Sequence, residues 1–402
     1  MSQPTCLQQR YLERFQQLDS LLATQRPYWQ LQAFDCADYP TSWSEALIAS
    51  LESISDEALA PLEQGSPLPA LAEHFPALHA LSDEALYPPA PQQPQETPFW
   101  LSRGMKGRKA EQVQRFSQAT HNYGLPFVEW CAGKGHLGKL LSFHHQQPVL
   151  SLEWQQSLCE AGEQVAQQLK LPQRFIEADV LAEGVEQHLK PEQHAVALHA
   201  CGELHLQLLR KGAEREVAAL SVCPCCYHLI PAQRYQPLSR EAKASSLALS
   251  KTDLRLAVQQ SATGGARVQR LRHTEVTWRL AYDSLQQQLS GNNQYRPLPS
   301  INKQWFTQDD GFEKFCQWAA DYHQLDLPDS LHLDDFLATG RQRYHLTRRI
   351  ELVRRCFSRA IEQWLILDRA LFLLQQGYRV EIQLLFEQNL SPRNFLIQAR
   401  RA

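Results

Sequence analysis

The sequence predicts an α/β fold whose mostly parallel sheet ends in an antiparallel hairpin, and three observations predict it. From Leu125 onward, short apolar runs alternate with longer amphipathic ones, the pattern of βαβ units. The first of these runs leads into FVEWCAGKGHLGKLL, residues 127–141, where Gly133, Gly135 and Gly138 make the kind of turn that joins a parallel strand to its crossover helix. The chain then closes with RVEIQLLFE and FLIQAR around a short QNLSPRN turn, and two strands so close in sequence must run antiparallel.

Residues 1–98 precede the sheet. Tyr11, Phe15, Leu18, Leu21 and Leu22 share one helical face and prolines punctuate the rest, so this stretch reads as a small helical accessory region. YPPAPQQPQETP, residues 87–98, has the proline content of an extended linker or a surface-hugging connection, and the boundary of the main domain, 99–402, is placed there. Within that domain strands are expected at PFVEW, PVLSLEW, RFIEADV, HAVALHAC and AALSVCP, with helices over 135–146, 155–170, 182–189 and 203–213. Residues 231–340 are rich in Gln and partly helical, at LSKTDLRLAVQ and FEKFCQWAADYHQL, and read as an insertion. A strong helix over 348–376, stopped by Gly377, precedes the hairpin.

The bulk properties are those of a soluble globular chain: 402 residues, 43% hydrophobic and 21% charged. The N-terminus MSQPTCLQQR lacks the apolar centre of a secretory signal, and Asp368 and Arg369 interrupt the apolar stretch WLILDRALFLL. A cytoplasmic protein without a membrane span is therefore expected, its ten cysteines reduced. A net charge of −3 gives no global sign of nucleic-acid binding, so any such contact must come from a local patch.

A glycine turn presents helix N-terminal amides to a ligand without naming it. Glu129, just ahead of the turn, discriminates. A dinucleotide would bring its negative pyrophosphate close to that carboxylate, at a Coulomb cost, whereas S-adenosylmethionine brings a cationic ammonium and sulfonium. Glu153, at the end of the second strand, can accept both ribose hydroxyls of either ligand. Asp179, after the third strand, stands where a side chain can accept from the adenine amino group. Three acids at the carboxyl edge of one sheet make a coherent adenosine-plus-amino-acid site.

The motifs VEWCAGKGHLG, LEW, ADV, LHACGEL and CPCCYH resemble the class I methyltransferase family that carries a D/E-x-C/G-A-G-K-G-x-L-G loop, an L-H-x-C-G-D-L strand end and a C-C-Y-H strand end. That family includes the domain of tRNA 2′-O-methyltransferases acting in the acceptor stem, and methyltransferase-like proteins sometimes labelled rRNA adenine dimethylase-like. The likeness runs from about Met105, in MKGRKAEQV, to His228, and resumes at LILDRALFL and LSPRNFLIQAR. Glu203 stands where Asp is usual, and Glu111 and Gln112 where a His-Glu pair is common. The N-terminal region lacks the Cys/His spacing of a zinc finger. The resemblance implies a Rossmann-like methyltransferase sheet, S-adenosylmethionine as cofactor, and donor contacts from Glu129, Cys131, Gly133, Lys134, Gly135, Gly138, Glu153, Asp179 and His199.

Methyl transfer is an in-line displacement in which the protein positions two partners and manages one proton. The fourth and fifth strand ends, LHACGEL and VCPCCYHL, should face the methyl group. His199 and His228 are thus candidate bases, with Tyr227 as a stacking or hydrogen-bonding wall; His199 reads equally as a structural histidine beside the cofactor. Cys225 follows a proline, the context of a cysteine that attacks a pyrimidine ring, with Cys201 available after the fourth strand, while Cys223 and Cys226 read as small buried strand residues. Structural zinc sites usually pair two separated knuckles, and no second one lies nearby, so no metal is expected. Ala200, Cys201 and Gly202 replace the N/D-P-P-Y/F turn of amino-methyltransferases, which shifts the balance towards a hydroxyl acceptor.

For the acceptor, RQRYHLTRRIELVRRCFSR carries seven arginines, Arg348 and Arg349 among them, against Glu351 alone. Spread over more than one helical face, some can reach phosphates while others meet acids at home; with Lys106, Arg108 and Lys109 they form either a phosphate-tracking surface or a solvated basic helix. Structured RNA, a tRNA or rRNA, is the expected substrate. A protein or small-molecule acceptor, with 231–340 as a lid, and a scaffold that binds the cofactor without turnover are the alternatives.

Overall fold

The computed structural model describes residues 6–81, 85–92, 97–101, 103–105, 107–258, 266–292, 294–328, 330–387 and 390–402. The chain divides into two compact units. The first comprises Met1–Ala23, Ala77–Gln259 and Ser358–Ala402, and the second Thr24–Pro76 and Gln260–Phe357.

The first unit holds a seven-stranded sheet in the order β3-β2-β1-β4-β5-β7-β6. Its strands are β1 (Phe127–Trp130), β2 (Val149–Glu153), β3 (Gln173–Glu177), β4 (His194–Cys201), β5 (Ala219–Cys225), β6 (Tyr378–Leu384) and β7 (Phe395–Arg401). β1 to β5 pair in parallel, and β7 runs antiparallel to both β5 and β6. The five parallel strands lie where the apolar runs predict them, because burial leaves such strands little room for polar residues; all of β1 and β5 is buried. Chain order reverses between β1 and β4, and at such a switch point the strand ends open a crevice. The edge strand β6 is covered: Tyr11 accepts from the Ile382 N–H, and residues 88–90 pair with Leu384.

Two helices depart from expectation. Over 182–189 the chain makes only a 3-10 turn, Val185–His188, entered through Gly184 at φ 85°. The helix expected over 348–376 begins earlier and is broken, giving Leu333–Cys356 and Ser358–Gln375. Asp334 and Asp335 favour its early start through the helix dipole. Phe357, at the break, is buried and meets Phe75 edge-on at 5.3 Å. Asp368 and Arg369, which interrupt the apolar stretch, are both buried. Asp368 accepts from the Tyr235 hydroxyl and from the Leu238 and Ser239 N–H groups, and Arg369 donates to His205 Nε2 and the Leu365 carbonyl. Among the described residues no helix is long and apolar enough to cross a membrane.

The second unit is helical. Its core gathers Trp278, Ala281, Tyr282, Leu285, Phe312, Phe315 and Cys316 from the helices Ala266–Ser290 and Gly311–His323. The helix Leu333–Cys356 closes on the first of these at Gly340, where a Cβ would lie 2.6 Å from both Ala281 Cβ and the Thr277 carbonyl.

Candidate active site

The turn after β1 is held by its backbone geometry. Cys131, Gly133 and Gly135 have φ of 57°, 59° and 65°, in the left-handed region. Gly135 also admits no side chain, since a Cβ would stand 2.2 Å from the Phe175 ring. The helix His136–His145 starts directly after it. Glu129 is not aimed at the mouth of this turn: it is 3% exposed and lies beneath it. Its Oε2 accepts from Ser151 Oγ at 2.7 Å, and the carboxylate also takes the Leu137 and Gly138 N–H groups at the helix start. Burial pushes its carboxyl up to about 7 despite these donors.

Glu153 ties β2 to the same turn, accepting from the Gly133 N–H at 2.8 Å and the Gln155 N–H at 3.1 Å. Asp179 is exposed two residues past β3 and accepts from the Leu181 N–H at 2.9 Å. Lys134 is exposed on the turn, and burial raises the Cys131 thiol to about 12. The structure thus gathers the glycine turn, Glu153 and Asp179 at the carboxyl ends of β1, β2 and β3.

At the next strand ends the register of β4 against β5 shifts between Leu198 and Cys201, bringing Cys201 opposite Cys225. His199 sits in the irregularity at φ 67°. Gly202, which follows, has no room for a Cβ, 2.0 Å from the Leu229 carbonyl oxygen. Cys201 Sγ and Cys225 Sγ are 3.4 Å apart, and Cys226, at φ 46°, joins them. Thiol donors from Cys201 and Cys225, with Arg393 and His228 beyond them, pull the Cys226 thiol down, while the Cys225 thiol is pushed far up by its bonds to the other two and by burial.

His228 is half-buried, and its Nδ1 has no hydrogen-bond partner among the described residues. Desolvation, then Arg255, lowers its pKa; desolvation, then Lys109, does the same for His199, whose side chain remains exposed. Both shifts favour the neutral imidazole.

Two expectations for the reacting edge need correction. Tyr227 is no wall of a pocket: it is 1% exposed, its hydroxyl donates to Glu362 at 3.1 Å, and the Arg369 guanidinium lies 5.1 Å from its ring centre. Cys225 is buried, and its hydrogen bonds to Cys201 and Cys226, with burial, push its thiol up, which disfavours the free thiolate that attack on a pyrimidine needs.

Three arginines of the segment, Arg348, Arg349 and Arg355, find partners within the second unit, while Arg341 is exposed. Arg349 is 2% exposed and donates to the Leu51, Ile54 and His345 carbonyls. Arg348 pairs with Glu63 and Asp56, and Arg355 donates to the Glu63 and Gly65 carbonyls. Neither Arg348 nor Arg349 is a free phosphate contact. Lys106 lies outside the described residues, while Arg108 and Lys109 are exposed. Lys109 acts electrostatically on both His199 and His136, and Lys134 on His136. Arg393, within the LSPRNFLIQAR stretch, and Arg255 are cations that were not singled out in the sequence: Arg393 acts on His199, Cys226 and His228, and Arg255 on His228.

Residues 108–233 match a family model described as a methyltransferase domain. The matched stretch contains the glycine turn, Glu153, Asp179 and both histidine-bearing strand ends. Among solved structures, coclaurine N-methyltransferase bound to N-methylheliamine and SAH aligns over 97% of this chain and 94% of that one, at 11% identity and a TM-score of 0.26. No curated protein is significantly similar in sequence.

Proposed function

We propose that this S-adenosylmethionine-dependent methyltransferase acts on structured RNA, a tRNA or an rRNA, and that His228 removes the acceptor's proton. The residues at the strand ends suit the cofactor. Glu153 offers a carboxylate to the ribose hydroxyls, Asp179 an exposed one to the adenine amino group, and the turn through Gly133 and Gly135 lets the main chain approach the amino-acid end. The bound cofactor supplies an electrophilic methyl group. The chain's own task is then to align the acceptor and take up one proton, for which a neutral imidazole with an unoccupied nitrogen is suited. His199, exposed at the end of β4, is the alternative base or a cofactor neighbour.

The observation that carries the RNA reading is a group of cations at the strand ends. Lys109, Arg255 and Arg393 act on the two histidines and Lys134 on His136, in a chain whose net charge is −3. A phosphate backbone is the acceptor class that such a rim favours. Incubating the purified protein with methyl-labelled donor and separated RNA, protein and small-molecule fractions from cells lacking it tests the reading. Label in RNA, lost with Glu153→Ala, supports it. Label only in protein or small molecules assigns a different acceptor, and tight donor binding without label in any fraction points to a scaffold.

A further inference from the structure

The thiols at the ends of β4 and β5 take no part in the proton transfer proposed above, yet they are brought together from two strands. Cys201 arrives opposite Cys225 only because the β4 register shifts after Leu198. Cys226 arrives through a left-handed backbone at φ 46°, a conformation that a non-glycine residue keeps only where its surroundings hold it. The three Sγ atoms lie within 4.8 Å of one another, 3.4 Å for Cys201 and Cys225. Thiolates around a tetrahedral zinc, each at about 2.3 Å, stand roughly 3.8 Å apart, so the trio is already close to ligand spacing. All three are free thiols, and Cys201 and Cys226 are partly exposed, which gives an ion a way in. The unpartnered Nδ1 of His228, two residues from Cys226, marks the same rim as short of a partner.

We propose that Cys201, Cys225 and Cys226 bind a Zn2+ ion as three thiolates, with the fourth coordination position open. On binding, three S–H bonds give way to three S–Zn bonds and three protons pass to solvent, with no change of oxidation state. The site carries one excess negative charge, which Arg393 offsets. Three protein ligands and an open position are the pattern of a zinc that meets a substrate atom, rather than of a closed structural site. The further ligand that the C-C-Y-H strand end lacks in sequence is supplied in space by Cys201 of β4.

The test is cobalt substitution in the full-length, reduced protein, purified without a metal-affinity resin. Elemental analysis should find one zinc per chain. After removal of that zinc, Co2+ should titrate to one equivalent, with thiolate-to-cobalt charge-transfer absorption and the visible bands of tetrahedral cobalt. Cys201→Ser and Cys226→Ser should abolish these bands, while Cys6→Ser, at an exposed cysteine outside the cluster, should keep them. No charge-transfer absorption in the folded, reduced wild type overturns the proposal, and this arm stands even if the serine variants fail to fold. Bands that survive Cys226→Ser in a folded variant overturn it as well. A Cys201–Cys225 disulfide in the isolated protein, with no cobalt uptake after reduction, assigns the pair to thiol redox chemistry instead.

Discussion

Glu129 and Glu153 stand at the carboxyl ends of successive strands and look interchangeable in sequence, but their surroundings separate them. Glu129 is closed in beneath the helix start, its pKa pushed up to about 7 by burial, whereas Glu153, also buried, accepts from the Gly133 N–H of the glycine turn. Their places at strand ends were legible, because residue position along a parallel strand follows from the apolar pattern. The direction of each carboxylate was not, because it depends on Ser151 and on the helix amides. Glu153→Ala should weaken binding of S-adenosylhomocysteine at least about tenfold, since a charge-assisted hydrogen bond contributes about 1.5–3 kcal/mol. Calorimetric titration giving unchanged affinity in a folded variant would remove Glu153 from the site. For His228 the sign of the pH effect is fixed. The base acts neutral and its pKa is lowered, so turnover should be level from pH 7 to 8 and fall only as pH drops below 6.5 through the folded pKa. His228→Ala should lose turnover and keep donor affinity; a wild-type rate still climbing between pH 7 and 8 would point to another base.

At the scale of elements, the parallel strands could be read from sequence because their burial leaves an unbroken apolar signature. The helix Ala266–Ser290 could not. Its buried residues, Thr277, Trp278, Leu280, Ala281, Tyr282 and Leu285 among them, fall in its later part, while RVQRLRH near its start is polar, so no apolar period runs its length. Gly340, inside the helix Leu333–Cys356, is where Ala266–Ser290 is closely approached. The inward turn of the arginines was hidden for a different reason: their partners lie at residues 51–65, almost three hundred positions earlier in the chain. Arg349→Ala should therefore act on stability. It leaves the Leu51 and Ile54 carbonyls without their donor and should cost about 3 kcal/mol in chemical denaturation. A variant as stable as the wild type would mean that the guanidinium is replaceable by water there.

For the whole molecule, charge is the property that links fold to acceptor. A chain of net charge −3 does not attract nucleic acid by its overall field, so the RNA acceptor proposed above requires a small number of local cations. On that proposal they are Lys109, Lys134, Arg255 and Arg393, which come from a helix, a turn, a short helix and a hairpin that are far apart in sequence. This is why composition alone could neither reveal nor exclude them. Each phosphate neutralised releases counterions, and the logarithm of the binding constant falls with the logarithm of salt by about 0.7–0.9 per contact. Four contacts predict a slope of roughly −3 for a bound RNA. Lys109→Ala and Lys134→Ala should each reduce the magnitude of that slope by roughly one and weaken binding alike for all sequences. Arg349→Ala, buried in the second unit, should leave the slope unchanged even though it lowers stability. Filter binding of a tRNA pool over a salt series distinguishes the cases. A slope near zero, or one that responds to Arg349 and not to Lys109, would remove the cationic rim as the RNA contact and leave a compact, uncharged acceptor as the better fit to the site.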